Sequence, residues 1–293
     1  MHRLPPLARP FATVAIALTC LTPRLTAQQG GDHTPRGDSL RQAQRLDIDG
    51  KNAEARAIFQ KLIDNAPDPS AKAVAQRRMA ISHGFEGHCS ETARYEEMVI
   101  DYWKTREKEE PQNAFYQEGE MANEAARICI DAGDLATAER LYRRGSELGL
   151  QEPEPKTHPK SLWDYRLAHA LARVAARKGD KAEAQKQVAE ARRILDSDPT
   201  MAANQERFYP YLTGYVALYT NDLATAQADL TKALSMQGNS TDPFMTALMG
   251  MVHEKMGHAS VAKEWYQKAY DLATQHTPPS AFARPFTRKK LGL

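Results

Sequence analysis

Five short stretches of this chain repeat one pattern: GKNAEA (50–55), GDLATA (133–138), GDKAEA (179–184), NDLATA (221–226) and GHASVA (257–262). Each opens on Gly or Asn, follows with a polar residue and ends on Ala. Four residues beyond that Ala stand Phe59, Tyr142, Val188, Leu230 and Tyr266, and three further on Leu62, Gly145, Ala191, Ala233 and Ala269. Steps of four and three place these side chains on one face of a helix, where small residues permit close approach and large ones fill the gap. Ahead of the later copies lie further helical stretches, at 121–131, 165–178, 209–220 and 244–256. The Gly or Asn therefore marks a helix end, where a left-handed residue lets the chain turn back. The unit is helix, short turn, helix. One such pair cannot bury its apolar face by itself, so successive pairs must stack into a continuous, curved core.

This pattern resembles the tetratricopeptide repeat family, which carries small residues in both helices, a Gly-Asp-like turn and often a closing Pro. Residues 36–69 fit one such unit and include Pro67 at its end. The resemblance covers 36–275, although the turn residues Gly133, Gly179, Asn221 and Gly257 are spaced by 46, 42 and 36 residues, more than the family's usual period. Residues 70–110 read as a divergent unit, with helices near 71–82 and 90–104. The prolines at 153, 155 and 159 mark a long loop over 151–159. The expected fold is all-α, a superhelical solenoid of about six antiparallel helix pairs. Residues 276–293 are expected to form a C-terminal capping helix over the last open face. Arg284, Arg288, Lys289 and Lys290 near its end read as solvated cations at a helix C-terminus rather than as a site for an anionic partner.

The N-terminus has a different character. Arg3 and Arg9 precede an apolar run from Phe11 to Leu21, and Leu25-Thr26-Ala27 offers a small residue for cleavage, so residues 1–27 read as a signal peptide and 28–35 as a flexible mature N-terminus. The run is shorter than the ~20 residues that span a bilayer as a helix. Export to the periplasm is the expectation. The alternative is a lipid-anchored accessory subunit of a cell-envelope assembly, acylated at Cys20, but Ala17-Leu18-Thr19 fits that signal poorly. The whole chain has 39 Lys and Arg against 37 Asp and Glu. Without the three arginines of residues 1–27 the balance becomes 36 to 37, which lacks the basic excess that phosphate contacts require, so nucleic acid is not an expected partner.

Motifs of phosphate cradles, nucleophile elbows and zinc hydrolases are missing from the sequence, and the helical repeat occupies nearly all of it. Neither an enzymatic activity nor a cofactor is expected. The segment HGFEGHC gathers His83, Glu86, His88 and Cys89, all ligand types, yet in a spacing that matches no zinc motif, and a polar turn is the preferred reading. Cys89 has another use. Loss of Cys20 with the leader leaves Cys89 and Cys129, an even number in an oxidising compartment. Cys89 lies near the start of one helix and Cys129 near the end of the next, and antiparallel neighbours bring those ends together, which predicts a disulfide.

In the repeat family the first helices of successive units line the concave face where peptides and partner helices dock. Counting back 13, 10 and 6 residues from each turn residue selects Glu120, Asn123 and Arg127, then Arg166, His169 and Arg173, then Phe208, Tyr211 and Tyr215, then Phe244, Ala247 and Met251. Asn123, Arg127, Arg166, His169 and Arg173 would form a polar end of a groove, and Tyr211 and Tyr215 an apolar end. The basic and amide side chains resemble the way some family members hold a peptide carboxylate. For the aromatic residues the commoner alternative is packing between repeats, since stripes at helical spacing are usually core. The function these features imply is a scaffold or adaptor that binds a protein or peptide on its concave helical face.

Overall fold

The computed structural model describes residues 34–293. The proposed leader, Cys20 and most of the 28–35 segment fall outside the described residues. The chain is built from antiparallel helix pairs: α1 (Pro35–Ile48) with α2 (Asn52–Asp64), α3 (Pro69–Gly84) with α4 (Cys89–Lys104), α5 (Pro111–Ala132) with α6 (Leu135–Gly149), and α7 (Lys160–Lys178) with α8 (Lys181–Ser197). A short helix α9 (Pro199–Gln205) and a 3-10 turn over Glu206–Phe208 precede α10 (Tyr209–Tyr219), which pairs with α11 (Leu223–Ser235). α12 (Pro243–Lys255) pairs with α13 (Ala259–Leu272), and α14 (Pro278–Leu291) ends the chain. Each pair packs on the next, giving a solenoid with a final helix.

The repeated hexapeptide is the hinge of five of the six pairs. Its first residue is left-handed at every copy: Gly50, Gly133, Gly179 and Gly257 have φ between 80° and 91° wherever Gly stands, except that Asn221, at φ 64°, does the same work with a side chain. At Gly179 nothing lies within 4 Å of where a Cβ would be, so the requirement there is purely conformational. The second residue starts the next helix. Asp134, Asp180 and Asp222 each accept a hydrogen bond from a backbone N–H three residues on, satisfying an otherwise orphaned donor. The closing alanines, Ala55, Ala138, Ala184, Ala226 and Ala262, are all buried, and so are the large residues four positions later. Proline at the first turn opens α1, α3, α5, α9, α10, α12 and α14, where its missing N–H costs nothing.

The second unit, which lacks the hexapeptide, forms its pair nonetheless. It is tied to the third by the Cys89–Cys129 disulfide, which joins the start of α4 to the end of α5 across 40 residues of sequence. Cys129 is fully buried among Ala125, Ala126, Ile130 and Tyr142.

The last helix goes further than capping the final pair. α14 packs on α12 and α13 and also on α3 and α5, so the end of the chain returns to its beginning. Asp47 at the end of α1 anchors this closure. Its Oδ1 accepts from Asn52 and from Ser82 Oγ at 2.9 Å, and its Oδ2 accepts from His276 Nε2 at 2.8 Å, with His276 buried between Phe59 and Phe85. The Arg78 guanidinium donates to the His276 carbonyl at 3.1 Å. No helix among the described residues is long and apolar enough to cross a membrane.

Closing a loop of this length removes chain entropy from the unfolded state. Replacing both Cys89 and Cys129 by Ser should lower the unfolding free energy in urea by about 2–4 kcal/mol while leaving the helical circular dichroism spectrum unchanged. A variant as stable as the parent would show that the bond does not constrain the second unit.

Candidate partner-binding face

The first helices of consecutive pairs are stitched to one another by charge. Arg77 of α3 pairs through two nitrogens with Glu124 of α5, and Arg166 of α7 donates to Glu120 of α5 at 2.9 Å. Arg166 also donates to the Tyr116 hydroxyl at 3.1 Å and lies over the Trp163 ring. Glu120, Glu124 and Arg166 thus form a half-exposed row along α5 and α7, with Arg166 24% and Glu120 28% exposed at the side chain. Arg127, one helical turn beyond Glu124, is also half-buried, and its guanidinium lies 5.0 Å above the Phe244 ring of α12. That contact spans the third and sixth pairs. The solenoid therefore curves tightly enough for first helices on opposite sides to touch.

Behind this row is a buried layer of arginine and tyrosine. Arg173 donates to the Tyr211 hydroxyl at 3.2 Å and to the Tyr142 hydroxyl at 3.1 Å, linking α7 to α10 and α6. Arg177, one turn later, reaches the hydroxyls of Tyr215 and Tyr219 at 3.4 and 3.5 Å. The rings supply both hydrogen-bond acceptors and aromatic faces for guanidiniums that the fold has taken out of water. His169 lies between Tyr165 and Tyr211, and burial, reinforced by Arg173, holds its pKa well below the ordinary histidine value. Its Nε2 is buried without a partner.

Asp131 is the acid of this layer. Burial raises its carboxyl to about 6, against the opposing pull of Arg127, Arg173 and Arg177. Its Oδ2 is buried and has no hydrogen bond, as is Arg127 Nε.

Of the residues singled out in sequence, His169, Arg173, Tyr211 and Tyr215 come together, with Arg127 at their margin. Arg166 stands apart in the row with Glu120. Asn123 joins neither group: it packs toward Gly145 of α6, where a Cβ on that glycine would meet its side-chain oxygen at 2.6 Å. Tyr211 is 5% exposed and Tyr215 fully buried, so in this conformation they offer no surface to a ligand and serve as packing between the fifth pair and its neighbours. Residue counting cannot separate a helix's inner face from the edge that meets its own partner when the two are one position apart. Asp131, Arg177 and Tyr219 were missed, although Arg173 with Arg177 and Tyr215 with Tyr219 each repeat at a four-residue step that would have extended both stripes.

The HGFEGHC turn is spoken for by other contacts. Cys89 is in the disulfide, Glu86 pairs with Arg56, and His83 stacks on Tyr95 with its pKa lowered to about 4 by burial and the neighbouring Arg56. Among the described residues no group of three His, Cys, Asp or Glu side chains is placed to hold a metal ion.

A family model described as tetratricopeptide repeat matches residues 247–276, which run from the middle of α12 through α13 to His276. No curated protein matches the chain.

Two consequences are measurable. Tyr215→Ala should lower the unfolding free energy by about 3–5 kcal/mol, and Arg173→Ala by about 1–3 kcal/mol, because the latter leaves two buried hydroxyls without a donor. An unaltered melting temperature for Tyr215→Ala would contradict its place in the core.

The folded pKa of Asp131 lies above its ordinary 3.8. Between those two values the folded state holds a proton that the unfolded state has lost, so this group's contribution to stability falls as pH rises through about 6. Asp131→Asn should therefore gain on the parent by roughly 1–3 kcal/mol in unfolding free energy between pH 4 and pH 7. A difference that does not change with pH would mean the carboxyl titrates normally.

Proposed function

We propose that this protein is an exported scaffold that binds another protein or a peptide on the inner layer of first helices. The observation that carries this reading is the half-exposed row of Glu120, Glu124, Arg127 and Arg166 set on a rigid base of buried Arg–Tyr pairs. Side chains whose support is locked by packing and hydrogen bonds hold their direction, and they lose less freedom when a partner docks. The signs alternate across neighbouring first helices, from Arg77 of α3 to Glu120 and Glu124 of α5 to Arg166 of α7, and favour a partner that brings its own carboxylate and cation in register. Arg127 contributes a guanidinium held 5.0 Å over the Phe244 ring.

This arrangement shifts the recognition surface from the seven residues implied by repeat position to the accessible ones. Arg127 and Arg166 touch the partner, whereas Arg173, His169, Tyr211 and Tyr215 hold the layer beneath. Export to the periplasm is part of the same proposal. It draws support from the charged and apolar leader and from a buried disulfide, a bond that persists in oxidising compartments.

Affinity purification of the exported protein from its own cells supplies the partner, and N-terminal sequencing of the same preparation should begin near Gln28. Arg127→Ala and Arg166→Ala should each weaken that partner by about 1.5–3 kcal/mol, with melting temperatures near the parent's. Equal affinity in both variants would remove the inner row from the interface, and a sequence starting at Met1 would overturn export.

A further inference from the structure

α14 is seated as a ligand would be. It packs on α12 and α13 of the sixth pair and reaches back to α3 and α5, with Ala281 among Ile81, Phe85 and Ile128 on one side and Ala283 beside Ala247 and Ala269 on the other. Its most deeply buried side chains are small: Ser280, Ala281, Ala283 and Thr287 are each 0–1% exposed. The large ones, Phe282 and Phe286, stack on each other at 5.0 Å and remain only partly covered.

Some of its polar contacts hold it to the sixth pair, Arg284 Nη1 donating to the Tyr270 carbonyl at 2.9 Å and Lys290 pairing with Glu254 at 2.7 Å, and two reach the end of another helix. Arg284 Nε donates to the Ile48 carbonyl at 3.1 Å and Arg288 Nη1 to the Asp49 carbonyl at 3.0 Å, the last acceptors of α1, where a cation is favoured by the helix dipole. The approach of Arg288 depends on Gly50, because a Cβ there would collide with its guanidinium.

As a helix α14 is poorly made. Pro285 stands inside it and cannot donate to the Ala281 carbonyl, so one turn lacks its hydrogen bond. Elements that bury few large side chains and open without breaking the core are the ones proteins release first.

We propose that α14 is a tethered stand-in for a partner's helix, holding a seat between the first and last pairs that a helix of the same chemistry takes when the partner binds. The seat specifies that helix: small residues at the positions of Ser280, Ala283 and Thr287, and arginines at those of Arg284 and Arg288 to reach the end of α1. A partner helix without an internal proline keeps the turn that α14 forgoes. The proposal rests on the inner layer being the binding face, and it is tested with a probe that does not require the native partner, so the two readings fail separately.

Amide hydrogen exchange on the full parent chain comes first. Amides of α14 beyond its first turn should exchange at least tenfold faster than those of α12 and α5. Exchange in step with α12 would make α14 an integral part of the core and overturn the proposal.

The second experiment uses a fluorescent synthetic peptide of residues 278–293 carrying Pro285→Ala. The full chain with Ala281→Asp, which forces a charge into the apolar seat, should bind this peptide at least tenfold more tightly than the parent does. A chain with Gly84→Cys and Ala281→Cys should, once oxidised, not bind it. A Cβ on Gly84 would stand 3.6 Å from that of Ala281, within disulfide reach, with the nearby Ile128 methyl turning aside. Equal peptide binding by the locked chain and the parent would place the peptide elsewhere and overturn the seat. Exchange of α14 between two copies, seen as a stable dimer, would make the occupant a second copy and overturn the partner reading.

Discussion

Every pair in this solenoid depends on two helices coming close enough for an alanine to fill the gap. Ala55, Ala138, Ala184 and Ala226 are fully buried, and each is followed one turn later by a buried Phe, Tyr, Val or Leu that reaches into the next pair. A small residue sets the distance and a large one sets the neighbour. Neither term is favourable for a pair alone, because half of each large side chain would remain in water. Stability therefore accumulates along the stack, and the weakest junctions decide where it would part. The second pair is the one without the hexapeptide, and there a covalent bond from Cys89 to Cys129 takes the place of the missing repeat contacts.

Repetition with a constant small rotation closes on itself if the chain is long enough. Here it does so within six pairs. Arg127 of the third meets Phe244 of the sixth, and Asp47 of the first meets His276 just after the sixth. Burying a carboxylate is costly unless its lone pairs are used, and Asp47 uses both oxygens on Asn52, Ser82 and His276. Removing His276 would leave the buried Oδ2 without this hydrogen bond. That dependence makes the clasp specific for closure in this register, in addition to whatever it adds to stability. It also fixes residue 276 at the start of α14, whose own grip is made by small residues, by Phe282 and Phe286 against Phe244 and Tyr266, and by Arg284, Arg288 and Lys290.

Much of the fold was legible because its determinants are local. The hexapeptide located the turns, and the left-handed φ of Gly133, Gly179 and Asn221 follows from chain reversal alone. The disulfide followed from antiparallel neighbours and a count of two. What was not legible is long-range. Nothing near Ala281 or Arg284 in sequence announces Ile81, Ile128 or Ile48 as neighbours, so α14 read as a cap on the last pair only. The insertion of α9 before α10 hid within a generous spacing. In the candidate face, periodicity put Arg173 and Tyr215 on the right helices but could not say that curvature would bury them. Whether an inward-facing residue is a groove lining or a core residue depends on the radius of the whole superhelix, and single-unit spacing carries no information about that.

The depth of burial also decides how the inner charges behave. Arg173 and Arg177 have Tyr hydroxyls as acceptors, and burial raises the carboxyl of the nearby Asp131 to about 6 in spite of three guanidiniums. A layer arranged in this way retains positive charge without saturating it. The outer row is different: Glu120 and Glu124 are paired directly with Arg166 and Arg77 through charge-assisted bonds, with side chains 16–35% exposed. Under the proposed function, a docking protein that offers its own carboxylate or cation meets these pairs above a layer of buried Arg–Tyr hydrogen bonds. On that proposal, selectivity comes from the order of charges on α3, α5 and α7, and affinity from what the partner buries.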